Sequence, residues 1–126
     1  KEFQIQENSF KVCLSGQPIN SSEIFLYHKT TNRNIYPSLV HGMDDVLLYN
    51  ENNELTEFTI GNLVVEIDGE LFTPPLSCGL LAGTFREHLL ETQQIKESVI
   101  RKDELPRCTK IFLINSVRKW VEVEIN

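Results

Sequence analysis

The chain has 126 residues, a length that suits one domain, and 40% of them are apolar, which is enough for a single core. Eighteen acidic and twelve basic residues give a net charge of −6, and the basic residues are scattered, which argues against a nucleic-acid surface. No stretch approaches the roughly 20 apolar residues that span a bilayer, and residues 1–4 lack the apolar core of a signal peptide, so we expect a cytoplasmic protein with no membrane partner.

The cysteines are the next constraint. Cys13, Cys78 and Cys108 are odd in number and far apart, which favours reduced thiols over a disulfide framework. None of the three His residues has ligand spacing, so no metal site is expected. The chain begins at Lys1 and its only Met is Met43, so we expect a piece of a longer protein.

Taken in chain order, the sequence predicts more strands than helices. Apolar and β-branched runs bounded by turn residues predict strands at 10–14, 23–28, 45–50, 55–59, 62–67, 70–73, 95–100, 110–115 and 121–125. Helical segments are predicted at 32–41, 83–92 and 103–106. The clearest hairpin is at Asp68-Gly69, because this pair tolerates the positive φ angles of a type I′ turn. The irregular alternation of helices and strands favours an α+β fold over a regular parallel sheet.

Lys29 and Glu57 are the first candidates for chemistry. Lys29 ends the apolar run 24–28, and Glu57 lies on a predicted strand. A lysine can form a Schiff base with an aldehyde, and a carboxylate can keep a ring nitrogen protonated, so the pair suits pyridoxal phosphate. From position alone, a solvated strand end explains Lys29 better. A solvent-facing strand residue likewise explains Glu57 slightly better than a buried carboxylate, which would need a partner.

Two segments have the pattern of phosphate-binding turns. Gly83-Thr84-Phe85-Arg86 lies where a loop meets a helix, so the free N–H groups of the first turn and the Thr84 hydroxyl could bind a phosphate. The simpler interpretation, which local sequence favours, is that Thr84 caps the helix. Residues 115–118 follow an apolar strand and could supply a second set of backbone donors, although an ordinary loop is the commoner meaning of such a sequence.

Together these motifs resemble the large domain of the class IV aminotransferases, the fold-type IV pyridoxal-phosphate enzymes. The resemblance covers nearly the whole chain, and the motifs that carry it are Lys29, Thr56-Glu57, Asn62-Leu63, Pro74-Pro75-Leu76, residues 79–86 and Asn115-Ser116-Val117. Residues 26–36 resemble the aminodeoxychorismate lyases most, particularly those fused behind aminodeoxychorismate synthase component I. The resemblance implies one α+β domain over 1–126, built as a mixed sheet or pseudo-barrel with a few helices.

The resemblance also implies roles for individual residues. Lys29 falls on the Schiff-base lysine that also moves protons, and Glu57 on the carboxylate that pairs with the pyridine nitrogen. The residues that fall on the two phosphate-binding turns are Thr84, Phe85, Ser116 and Val117, mostly through their backbone N–H groups. Asn62 falls on a position that supports the pocket, and Arg33 belongs to the lyase-like signature without an assigned role.

The implied reaction is that of a 4-amino-4-deoxychorismate lyase, which releases pyruvate and 4-aminobenzoate on the folate pathway. Two alternatives stay open, namely a branched-chain or D-amino-acid type aminotransferase and a non-catalytic domain that retains only the fold. Relatives carry a smaller amino-terminal domain that closes the site, and this chain has no room for it, so we expect an isolated large domain. A homodimer, and a longer chain with aminodeoxychorismate synthase, are implied by the family alone.

Overall fold

Six strands close into a barrel in the computed structural model, which describes residues 10–20 and 43–125. Lys29, Arg33 and the elements predicted at 23–28 and 32–41 lie outside these residues. The strands of the described part are β1 (Phe10–Leu14), β2 (Asp45–Tyr49), β3 (Leu55–Phe58), β4 (Asn62–Ile67), β5 (Glu70–Thr73), β6 (Lys96–Glu97), β7 (Lys110–Asn115) and β8 (Lys119–Ile125). The helical elements of the same described part are α1 (Thr84–Glu91) and two short 3₁₀ segments, Leu76–Cys78 and Lys102–Arg107.

The pairing pattern closes the ring. The strand order is β3-β2-β1-β8-β7-β4-β5-β6, and β3 also pairs with β4, so the first six strands of that order form a closed circuit. Strand β1 runs parallel to both β2 and β8, whereas the other pairs of the ring are antiparallel. Strands β5 and β6 extend the sheet beyond the ring. The predicted α+β pseudo-barrel with a mixed sheet is therefore confirmed.

Strand alternation divides the apolar residues into two main cores. Leu63 and Val65 belong to a cluster with contributions from all six strands of the ring, which is the barrel interior. Val64, between them, points to the opposite face, as the two-residue period of a strand requires, and packs with Leu89 of α1. Helix α1 therefore lies against the outside of the barrel, on β4, β7 and β8.

Most predicted elements of the described part are found within one or two residues, and the hairpin at Asp68-Gly69 is confirmed by positive φ angles of 53° and 81°. The strand predicted at 95–100 is wrong, because only Lys96–Glu97 pair, and they pair with β5. Ile95 is buried under α1, whereas Ile100 is buried in the barrel interior. The apolar residues at the two ends of this segment therefore pack into two different cores and do not form one face of a strand.

The start of α1 also differs from the expectation. Its N-cap is Gly83, with no side-chain hydrogen bond at the cap, and Thr84 is the first helical residue. The interpretation of Thr84 as the cap is therefore wrong, and its hydroxyl is available for another contact. Among the described residues, no helix has the length and apolar character needed to cross a membrane.

Candidate active site

A pocket of about 240 Å³ opens where the β3–β4 turn, the end of β7 and the start of α1 meet. These three segments converge because β4 pairs with β3 on one side and with β7 on the other, while α1 packs across β4 and β7. The described residues that line the pocket are Glu57, Thr59, Ile60, Gly61, Asn62, Leu81, Gly83, Phe85, Asn115 and Ser116. Four of the residues chosen from sequence, Glu57, Asn62, Phe85 and Ser116, therefore line one pocket.

Glu57 forms one end of the pocket and is only 3% exposed. It pairs with Asn62 across the β3–β4 turn, and its Oε1 lies 3.4 Å from Asn62 Nδ2 and 3.4 Å from the Leu81 backbone nitrogen. Asn62 Nδ2 also donates to the Leu81 carbonyl at 2.9 Å. Asn62 thus links Glu57 to the loop before α1 through hydrogen bonds. These bonds are a structural basis for the supporting role that the resemblance implies.

Asp45 holds the turn that follows Glu57, and sequence reasoning missed it. The side chain is buried, and its Oδ1 accepts hydrogen bonds from Thr59 Oγ1 at 2.6 Å and from the Thr59 N–H at 3.3 Å. The Val46 N–H donates to the same oxygen at 2.7 Å. Because hydrogen bonds offset the cost of burying a carboxylate, Asp45 fixes the pocket wall at Thr59. The available sequence signal is an acidic residue at the start of an otherwise apolar strand.

The other end of the pocket has the two segments predicted as phosphate-binding turns. The Thr84 and Ser116 hydroxyls share a short hydrogen bond, which joins the start of α1 to the end of β7. The first-turn N–H groups of an α-helix have no partner within the helix, so those of Thr84 and Phe85 face the loop side. A Cβ at Gly83 would overlap Asn62 Oδ1, so a glycine there leaves room for Asn62 beside the helix start.

Val117 has a different environment from the one that the resemblance implies. Its side chain is 89% exposed, and its N–H donates to Asn115 Oδ1 at 3.1 Å. The Arg118 N–H donates to the same oxygen at 2.7 Å. A contact between the Val117 N–H and a phosphate would therefore need that group to change partner, and the role of Val117 stays a prediction.

Arg86 is the second residue whose role sequence reasoning missed, because it was named only as part of the Gly83-Thr84-Phe85-Arg86 motif and as a helix former. It is 1% exposed, and its Nη2 donates to the Pro74 carbonyl at 3.0 Å and to Glu97 Oε2 at 2.6 Å. Its Nη1 donates to Glu87 Oε2 at 2.5 Å. Arg86 therefore fastens the first turn of α1 to β6 and to the segment after β5.

The cysteines do not contribute a nucleophile to this pocket. None of the three lines it, and burial, reinforced by the Glu54 carboxylate, raises the pKa of Cys78 to about 11, so that thiol is protonated at neutral pH. Burial, with a contribution from Glu104, also raises the pKa of Cys108. In the part of the chain that the structure describes, no group of His, Cys, Asp and Glu is placed to hold a metal ion.

Known proteins share this architecture. Residues 2–125 match the model of the amino-transferase class IV family. A Schizosaccharomyces pombe protein provisionally named aminodeoxychorismate lyase is 40% identical over 126 residues, which cover 91% of this chain and 54% of that protein. A Mesorhizobium loti structure provisionally named an amino-acid aminotransferase has a TM-score of 0.83 at 33% identity, over 95% of this chain and 61% of that one.

A more distant structure, a branched-chain amino acid aminotransferase from Thermobaculum terrenum in its pyridoxal-phosphate form, has a TM-score of 0.72 at 17% identity, over 95% of this chain and 44% of that one. The chain thus spans between two fifths and two thirds of the length of these proteins. The family model covers nearly the whole chain. The chain therefore belongs to the class IV aminotransferase family of pyridoxal-phosphate enzymes.

Proposed function

We propose that this chain carries the cofactor site of a pyridoxal-phosphate-dependent 4-amino-4-deoxychorismate lyase, which releases pyruvate and 4-aminobenzoate. The observation that carries the proposal is one pocket lined by a buried carboxylate, Glu57, and by Ser116, whose hydroxyl bonds to that of Thr84. The choice of lyase is supported by the relative at 40% identity that bears that name.

The residues of the pocket fit pyridoxal phosphate at both ends. Glu57 would face the pyridine nitrogen, and its Oε1, 3.4 Å from both Asn62 Nδ2 and the Leu81 backbone nitrogen, is held in place at the pocket. The Thr84 and Ser116 hydroxyls and the first-turn N–H groups of α1 would hold the phosphate, because a helix N-terminus attracts anions. When bound, the cofactor supplies an electron sink for the carbon that carries the substrate amine.

The protein's own residues would supply positioning and proton transfer. Lys29 is proposed as the residue that binds the cofactor covalently, removes a proton from the substrate and later returns one. Glu57 would keep the ring nitrogen protonated throughout. Asp45 and Asn62 would hold the Glu57 side of the pocket, through the bonds to Thr59 and Leu81.

The first experiment tests the cofactor site. The chain is mixed with pyridoxal phosphate, reduced with borohydride and digested, and the modified peptide is identified by mass spectrometry. We expect one adduct, on Lys29. Glu57→Gln keeps an acceptor for Leu81 but removes the charge, and we expect it to weaken cofactor binding by about tenfold or more, since a hydrogen bond to a charged group contributes about 1.5–3 kcal/mol.

The matched control is Glu91→Gln, which removes one charge from an exposed position at the end of α1. We expect its cofactor affinity to equal that of the unmodified chain. Label spread over many surface lysines, or equal affinities for the Glu57 and Glu91 variants, would contradict the proposed site.

An aminotransferase is the second candidate, because the Mesorhizobium loti structure at 33% identity is provisionally named as one. Product analysis separates the two activities. A lyase forms pyruvate and an aromatic amine from 4-amino-4-deoxychorismate without any other reactant. An aminotransferase instead needs a 2-oxo acid and converts it to an amino acid, with no aromatic product.

A further inference from the structure

Two backbone N–H groups of the turn between β7 and β8 are bonded within the turn. Asn115 Oδ1 accepts the N–H groups of both Val117 and Arg118, at 3.1 and 2.7 Å. A phosphate at this turn would therefore meet the Ser116 hydroxyl but not these two amides. The first-turn N–H groups of α1 would add donors, but positive charge for a phosphate must come from another group.

Lys119 is such a group, because its backbone conformation directs it to the α1 side of the sheet. Its φ is 60°, in the left-handed region that side chains other than glycine rarely adopt. Val121, two residues later, faces the barrel interior, and regular alternation would place Lys119 on that same face. Instead, Lys119 Nζ lies 5.1 Å from the centroid of the Phe85 ring.

The ring of Phe85 adjoins the proposed phosphate end of the pocket. Phe85 follows Thr84 in the first turn of α1, and the Thr84 hydroxyl bonds to that of Ser116. Lys119 is exposed, and within the described residues its ammonium has no carboxylate at ion-pair distance, unlike Lys96, which pairs with Glu70. An exposed lysine held only by an aromatic face can move its ammonium by several ångströms at little cost.

We propose that Lys119 is a further phosphate-binding residue of this site, whose ammonium supplies the positive charge that the turn amides do not. This inference rests on the proposed function, since it concerns the phosphate of the same cofactor. A phosphate monoester carries between one and two negative charges at neutral pH, and the chain as a whole is acidic, with a net charge of −6. An ammonium that reaches Thr84 and Ser116 would therefore offset the unfavourable field of the chain's net negative charge.

The test compares two aldehydes that differ only in the phosphate, pyridoxal phosphate and pyridoxal. Dissociation constants are measured by absorbance for the unmodified chain, Lys119→Ala and Lys119→Arg at low salt. We expect Lys119→Ala to raise the dissociation constant of pyridoxal phosphate by about three- to fivefold, which corresponds to the free energy of an exposed ion pair. The dissociation constant of pyridoxal should not change. Lys119→Arg should bind like the unmodified chain, and the loss in Lys119→Ala should shrink at high salt.

The matched control is Arg118→Ala. It removes one positive charge from the adjacent residue, whose guanidinium lies over the Phe10 ring at 4.9 Å, so we expect no change in affinity for pyridoxal phosphate. An equal loss in the Arg118 and Lys119 variants would mean that only net charge matters, and it would overturn the inference. Equal losses for both aldehydes, or no loss for either, would overturn it as well.

Inorganic phosphate separates this inference from the proposed function. Its affinity is measured by calorimetry with the unmodified chain and Lys119→Ala. If phosphate binding depends on Lys119 while borohydride traps no adduct on Lys29, the inference stands and the proposed function fails. If the adduct forms and neither phosphate nor pyridoxal phosphate binds less tightly to Lys119→Ala, the inference fails alone.

Discussion

Asn115 connects the two ends of the pocket through a single side chain. Its Nδ2 donates to the Ile60 carbonyl at 2.9 Å, three residues after Glu57, while its Oδ1 accepts the N–H groups of the turn after Ser116. The carboxylate end and the hydroxyl end are therefore joined by side-chain hydrogen bonds in addition to the β-sheet ladder. A change at Asn115 would alter the distance between them.

Two substitutions at Asn115 separate its two functions. Asn115→Ala removes all three hydrogen bonds, and we expect it to lower the free energy of unfolding by about 1–2 kcal/mol, since each bond contributes about 0.5–1.5 kcal/mol and the site is partly exposed. Asn115→Asp keeps the acceptor for the turn but loses the donor to Ile60. Because both substitutions remove the hydrogen bond to the Ile60 carbonyl, both variants should bind pyridoxal phosphate less tightly.

Urea unfolding and cofactor titration measure the two effects. The control is Asn52→Ala, at an exposed asparagine of the β2–β3 turn, which should change neither quantity. If Asn115→Asp bound the cofactor as tightly as the unmodified chain, the bond to Ile60 would have no part in shaping the pocket.

Helix α1 shows how a short element is positioned by contacts at its start. It has eight residues, too few to be stable without tertiary contacts, and Arg86 and Leu89 attach it to the barrel. At its N-cap, Gly83 has a φ of −62°, an angle open to any residue, so backbone conformation does not require a glycine there. The requirement is steric, because Asn62 Oδ1 occupies the space that a Cβ would take.

Gly83→Ala therefore tests packing at the start of α1. We expect it to lower the free energy of unfolding by about 1–3 kcal/mol, the usual cost of overpacking, and to weaken cofactor binding by displacing Asn62. Gly16→Ala is the matched control, because a Cβ at Gly16 would meet nothing within 4 Å, and its effect should stay within about 0.5 kcal/mol. Equal thermal midpoints for the two variants would show that the loop before α1 moves aside freely.

Elements defined by local chemistry were predictable from the sequence, whereas contacts between them were not. Strand β4 and the Asp68-Gly69 turn follow from apolar alternation and from a residue pair that accepts positive φ. The residues of the candidate pocket came from the family resemblance. The partners of Asp45 and Arg86 were not predictable, because burial of a charged group depends on distant segments, here Thr59 and Pro74.

At the scale of the whole molecule, the two main cores share strands. Neighbouring residues of β4, β7 and β8 point alternately into the barrel and toward α1, as Val64 and Val65 do. Trp120 of β8 faces α1, and Val121 beside it faces the barrel interior. A strand that unfolds loses its packing contacts on both faces at once, so the structure predicts that the barrel and the helix layer unfold together.

Leu89→Ala tests this cooperativity, because Leu89 is 1% exposed and belongs only to the core under α1. We expect a loss of about 2–5 kcal/mol, as for other buried leucines, and coincident transitions by far-ultraviolet circular dichroism and by Trp120 fluorescence. Leu76→Ala, at a leucine that is 45% exposed, should shift neither transition by more than about 0.5 kcal/mol. If the Trp120 transition preceded the loss of circular dichroism, α1 would be an independently melting layer. The phosphate end of the pocket, which starts at Thr84, would then open without unfolding of the barrel.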